Sequence, residues 1–361
     1  MPFGEMKQEM SNQPNRSRKV VRARRALTAA VAGLLLFAPV SAFAATSAHA
    51  VKHPHPHSRL SGETITVYSA GPAGLAKKED AAFTKATGIK VLLFQSDTGH
   101  IMARLQAEGH NPQADVVVLA SWSAARALQQ EHLLETFHPM NEDKLIFRNP
   151  ASDYFAYSAT ALAIVYNTHL VSKPPRTWAA ALQSRWDNKI VIPNPADSGS
   201  AVDFVGGFLQ NERAGWSYFS KLAAHGALLE GANAAALDQV LIGAKDFVLG
   251  AVDDVAYKDK AKGDPIDIVY PRDGTVVNPR PVMVLKTAKD MAASERFVDF
   301  LLSKQGQQIV AKAYLLPGVR GIPASPKRAS LAQIHQWRVN WIALAKHETA
   351  IIGHVESIFG G

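Results

Sequence analysis

The sequence predicts an α/β protein made of two lobes, and three observations predict it. β-rich runs alternate with helical stretches across short connections. That alternation starts near Glu63 and starts again near Thr177, with no obvious repeat in sequence. The chain has 361 residues, enough for two lobes with separate cores.

The elements follow in order. Thr64-Ile65-Thr66-Val67-Tyr68 is β-branched and aromatic and ends at the breakers Gly71 and Pro72, so it reads as a strand. A helix is predicted from Ala73 to Thr87, with Gly88 as its stop. Ile89 to Phe94 is a second strand, and Ser96-Asp97-Thr98-Gly99 opens a helix that runs through Ala107. Ala114 to Leu119 is a third strand, apolar enough to be buried on both faces. Thr160 to Tyr166 is strand-like. After Pro174 and Pro175 the second region begins. Its strands are Lys189 to Pro193, Phe247 to Val252 and Ile266 to Tyr270, and Ser198-Gly199-Ser200 leads into a helix through Leu209. Pro281 to Leu285 is a return strand. Ser330 to Phe359 is expected to be helical and to pack on the first lobe through residues such as Trp337, Trp341 and Ile342.

The N-terminus is a separate feature. Arg16, Arg18, Lys19, Arg22, Arg24 and Arg25 precede an apolar run from Ala26 to about Ala44, closed by Ala42-Phe43-Ala44. This is the order of a cleavable secretory signal, and it places the mature protein in the periplasm. Those six cations account for much of the formal charge of +8, so nucleic-acid binding has little support. Val51 to His57 alternates histidine with proline; it suits an extended leader, and its three histidines are of the type that holds zinc or nickel. There are no cysteines, hence no disulfide, thiolate metal site or cysteine-linked lipid. The motifs of serine hydrolases, zinc proteases and P-loop NTPases are missing. The division expected is 1–44 signal, 45–62 leader, 63–165 with 282–361 as lobe 1, and 166–281 as lobe 2.

Five segments resemble, in order, the bacterial family of extracellular solute-binding proteins that includes ferric-ion, phosphonate and sugar-phosphate receptors. They are Phe83 to Val91, Asn111 to Val116, Val165-Tyr166-Asn167, Pro195 to Ala201 and Phe297 to Gln307. The resemblance spans roughly Glu63 to Pro323. It implies a two-lobed type II periplasmic-binding-protein fold with hinge-crossing strands. It also implies a monomer that serves an ABC importer permease in the inner membrane, with no enzymatic role and no cofactor. Ferric receptors of this family place paired tyrosines after the strand that ends here near Gly250. The matching positions are Val255 and Ala256, which offer iron no phenolate.

In such a fold the ligand sits at the strand ends. Ser69-Ala70, Asp97-Thr98-Gly99 and Asp197-Ser198-Gly199-Ser200 each put small polar residues at a strand-to-helix turn. Free N–H groups and the helix dipole favour an anion at such a turn, and the same hydroxyls also serve as helix caps. Ser121 and Trp122 offer a hydroxyl and a ring. Asp253, Asp254 and Tyr257 are candidates for ligand hydroxyls or an amine. Asp253 and Asp254 are expected to point apart along an extended strand. Arg272 or Arg280 is of the type that forks onto a phosphate, and either equally suits the surface. The solute expected is a small anion of the sugar-phosphate or phosphonate class. A ferric ion is the alternative, and a secreted hydrolase is the alternative of another class.

Overall fold

The computed structural model describes residues 63–360. The expected signal and histidine leader lie outside the described residues. Within them, ten strands form one hydrogen-bonded sheet. The strands are β1 (Thr64–Ser69), β2 (Lys90–Gln95), β3 (Val116–Val118), β4 (Phe155–Asn167), β5 (Ile190–Pro193), β6 (Leu228–Glu230), β7 (Phe247–Val252), β8 (Ile266–Val269), β9 (Val277–Val284) and β10 (Leu316–Pro317). The path runs β2-β1-β3-β9-β4-β7-β5-β6, and β8 and β10 also pair with β4.

Two parallel sets sit at the ends of this path. β2, β1 and β3 are parallel to one another, as are β7, β5 and β6. The two sets are joined by the antiparallel strands β9 and β4. β4 has 13 residues; its first half pairs with β9 and β10, its second with β7 and β8. It therefore belongs to both halves. Each half has its own core. Phe83, Phe155, Phe297 and Leu301 fill one side of the first, and Trp178, Phe204, Phe208 and Phe247 one side of the second.

The helices that frame the strand ends are α1 (Ala73–Thr87), α2 (Thr98–Glu108), α3 (Trp122–Gln130), α4 (Gly199–Asn211), α5 (Trp216–Ala224), α6 (Asn233–Leu241) and α7 (Asp253–Lys262). Helices α8 (Met291–Leu302) and α9 (Lys304–Lys312) close the first half, and α10 (Trp341–Phe359) ends the chain. α1 begins after Pro72 and stops at Gly88, which is left-handed at φ 84° and donates its N–H to Thr84 O.

Three expectations are corrected. β4 and β9 begin earlier than the sequence suggests, at Phe155 and Val277. β9 contains Pro279 and Pro281, which donate no backbone hydrogen bond. Their missing N–H groups face the β3 side: Leu119 N still donates to Pro281 O at 3.0 Å, the reciprocal bond is lost, and β3 ends at Val118, so the prolines cost only the last rung. The tail is not helical from Ser330. A capping box of Ser330 with Gln333 makes one short turn, and the backbone then bonds to Thr275 through His335 and Trp337 before α10 begins. Nor does α10 pack on the first lobe alone. Leu344, Ile351 and Val355 join the second core, and Trp341 touches a core in each half.

Phe208 is the centre of the second core. Its ring centroid lies 4.5 Å from Tyr218, 5.2 Å from Phe219 and 5.7 Å from Trp337. Phe208→Ala is expected to cost about 3–5 kcal/mol of stability, read from urea unfolding.

Candidate ligand-binding cleft

The antiparallel pair of β4 and β9 makes a polar floor. Ser158 pairs with Arg280 and Thr160 with Asn278. Strand side chains alternate, so these four share one face, while Ala159, Ala161 and Val277 share the other in an apolar cluster. All four polar residues are buried. Burial of polar atoms requires partners, yet several have none in the protein: Ser158 Oγ, Asn278 Oδ1, and Arg280 Nε and Nη1. Arg280 has one long hydrogen bond, from Nη2 to Ala70 O at 3.3 Å, and an ion pair with Asp254 at 3.7 Å. The Tyr157 hydroxyl and Glu79 Oε1 are also buried without partners. Burial pushes the Glu79 carboxyl up to about 8, against the pull of Arg280.

The second-half wall of the floor is the start of α7. Asp253 and Asp254 do not point apart as expected. They open a helix, where successive residues turn by roughly 100° rather than 180°. Both carboxylates therefore reach Thr160 Oγ1, at 2.8 Å each. Asp253 also accepts from Ala161 N, Tyr270 Oη and Arg328 Nη2, the last at 2.6 Å. Burial raises the Asp253 carboxyl, and the Arg328 guanidinium pulls it back. Tyr257 Oη accepts from the Ala329 N–H and lies 3.2 Å from Tyr270 Oη, to which it can donate while the Tyr270 proton goes to Asp253.

The predicted turns face one another across the two halves. The Gly99 N–H donates to Asp197 O at 3.3 Å. Thr98 Oγ1 accepts from Ala120 N, and Asp97 caps α2 and pairs with His100. Ser198 caps α4, and Ser198 and Ser200 both accept from Asn233. Gly199 lies against Thr98 and Ser121. The hydroxyls of Thr98, Ser198 and Ser200 accept from protein donors within their own half. Ser69 Oγ accepts from Gly71 N, and Ala70 O meets Arg280. Trp122 does not offer a ring to the cleft: it is buried in the first half, 4.6 Å from Tyr154 between centroids.

A further buried group joins the halves. Asp203 on α4 accepts from Ser121 Oγ, Trp122 N and Ser123 Oγ at the start of α3. Burial pushes its carboxyl up to about 7, with Glu348 of α10 adding to the rise and the three hydrogen bonds opposing it.

Comparison with known proteins places this architecture. Residues 65–315 match the family model described as "Bacterial extracellular solute-binding protein". The chain belongs to that family. Members are solute-binding components of ABC importers. This solute-binding protein is 25% identical over 299 residues to a Salmonella typhimurium periplasmic protein provisionally named for 2-aminoethylphosphonate binding; the alignment covers 77% of this chain and 87% of the other. It is 26% identical over 260 residues to the major ferric iron-binding protein of Neisseria meningitidis, covering 68% and 77%. Among solved structures it resembles AfuA of Actinobacillus pleuropneumoniae with fructose-6-phosphate bound (TM-score 0.78, 21% identity, 83% and 99% covered). It also resembles iron-bound HitA of Pseudomonas aeruginosa (TM-score 0.73, 21% identity, 81% and 99% covered). The fold is that of the type II periplasmic binding proteins. Among the described residues no helix is long and apolar enough to cross a membrane.

The floor residues Ser158, Asn278 and Tyr157, the wall residue Glu79, and Arg328 and Asp203 are absent from the sequence-based candidates. One signal for the floor was present: Ser158 and Thr160 alternate in a run of alanines, and Asn278 and Arg280 alternate with prolines.

Proposed function

We propose that this protein captures a small anionic solute of the phosphate-ester or phosphonate class and delivers it to the permease of an ABC importer, without chemical turnover. The observation that carries this reading is Arg280. It is a permanent cation, 4% exposed, whose Nε and Nη1 make no hydrogen bond, Nη1 having only the 3.7 Å ion pair with Asp254, and it lies beside the Ser158 and Tyr157 hydroxyls, whose one mutual contact leaves a donor to spare. A phosphate or phosphonate oxygen pair suits such a fork, and burial excludes the water that would weaken it. This reading puts the anion at the floor rather than at the turns after β2 and β5, where Thr98, Ser198 and Ser200 already accept hydrogen bonds from the protein. Glu79, Asp254 and Asn278 Oδ1 suit a hydroxyl or amine on the same solute. The phosphonate-named relative and the sugar-phosphate-bound AfuA fit this class. The lobes divide across β4 and β9 into 63–165 with 282–361 and 166–281, with α10 shared between them. The protein acts as a monomer in the periplasm.

The donor chemistry speaks against ferric ion as cargo. Burial raises the Tyr270 phenol far from the phenolate form. Tyr257 is committed to Ala329, and a guanidinium already lies on Asp253.

A melting screen of the desalted protein tests the class. The panel is sugar phosphates, phosphonates, inorganic phosphate, polyamines and ferric citrate. A true ligand at 100 times its dissociation constant adds about 2.7 kcal/mol, a rise of roughly 4 °C for a protein of this size. A rise with a phosphate or phosphonate is the expected result. A rise with ferric citrate alone, with a visible tyrosinate-to-iron band, would replace the anion by iron.

A further inference from the structure

The family match ends at residue 315, and Arg328 lies beyond it. Even so, Arg328 reaches the wall of the cleft. Its side chain and that of Asp253 are both fully buried and meet at 2.6 Å. Nη1 donates to Tyr314 O, Nε to Ala329 O at 3.0 Å, and the guanidinium lies 5.5 Å from the Tyr257 ring centroid. From Asp253 a buried polar chain continues through Thr160 to Asp254 and on to Arg280. With both carboxyls ionised, its two guanidinium groups and two carboxylates cancel, and the one Thr160 proton is shared between the two carboxylates.

We propose that Arg328 is a specificity-determining residue, which by pairing with Asp253 leaves Arg280 to meet a bound anion and so sets the cleft's preference for anions. This rests on the anion reading above. Without Arg328, two carboxylates face one guanidinium, and Arg280 is held by its own wall. Arg328 does not touch the solute; it acts through Asp253 and Thr160.

The test is calorimetric titration at pH 8 with inorganic phosphate and methylphosphonate. One unpaired unit charge about 8 Å from the anion, at an effective dielectric near 20, makes Arg328→Met about 30-fold weaker. Arg328→Lys keeps the charge and recovers most of that loss. Asp253→Asn keeps Arg328, leaves one surplus positive charge, and tightens binding by about 30-fold on the same grounds. This second variant keeps the inference open to refutation where Arg328→Met folds poorly, and the sign of its effect separates charge from mere packing. Unchanged affinity in folded Arg328→Met, or unchanged or weaker affinity in Asp253→Asn, overturns the inference alone. If the parent protein binds neither anion, the anion reading falls and this inference with it.

Discussion

Arg280→Met is expected to weaken binding of the panel's best anion by at least about 100-fold, because it removes two charge-assisted hydrogen bonds worth roughly 1.5–3 kcal/mol each. Methionine is unbranched and apolar, so the side-chain stem is kept, and Asp254, which loses its ion-pair partner, retains Thr160. The loss of binding should therefore come with a cooperative melting transition. Arg280→Lys is expected to fall between the two, since an ammonium supplies the charge but not the planar fork. Titration calorimetry reads both. The alternative site is the pair of turns at Thr98 and Ser198. If Arg280→Met binds the anion within about 3-fold of the parent while Ser198→Ala with Ser200→Ala does not, the anion sits at the helix starts and the floor is only structural.

Much of the fold is legible in the sequence because local signals agree with it. Pro72 and Gly88 bracket α1, Asp97 caps α2, and the apolar runs of β3, β5 and β7 have few other interpretations. The floor is less legible. Ser158 and Thr160 interrupt an otherwise apolar strand, and Pro279 and Pro281 resemble loop residues, because what excuses them is the position of β3. Arg280 is hidden for a similar reason: a lone arginine in a proline-rich stretch belongs on the surface unless two strands and a carboxylate bury it. Arg328 and Asp203 act at a distance of 75 and 80 or more residues from their partners, which no local pattern encodes. The tail shows the opposite failure. Its apolar residues do suggest a helix, but Trp337 donates to Asp273 O and joins the Phe208 cluster, so that segment is spent on tertiary contacts.

Gly99→Ala is expected to weaken ligand binding by at least about 10-fold without touching the ligand, by lowering the population of the closed form. A Cβ on Gly99 would lie 2.1 Å from Ala196 O and 3.3 Å from Asp197 Cα. Those are backbone atoms, so no side chain can swing aside. Gly99 starts α2 in the first half and Ala196 precedes α4 in the second. The economical relief is a rotation of the halves about β4 and β9, which parts the two turns and breaks the Gly99–Asp197 hydrogen bond. Ligand dissociation should accelerate more than association slows. X-ray scattering with saturating ligand should show a larger radius of gyration than the parent. Gly74→Ala is the control: it sits in α1 with nothing within 4 Å of the new Cβ, and should leave affinity and radius unchanged. A lower melting temperature in Gly99→Ala with parental affinity and radius would mean that the turn shifts locally, and that contact between these turns does not limit closure.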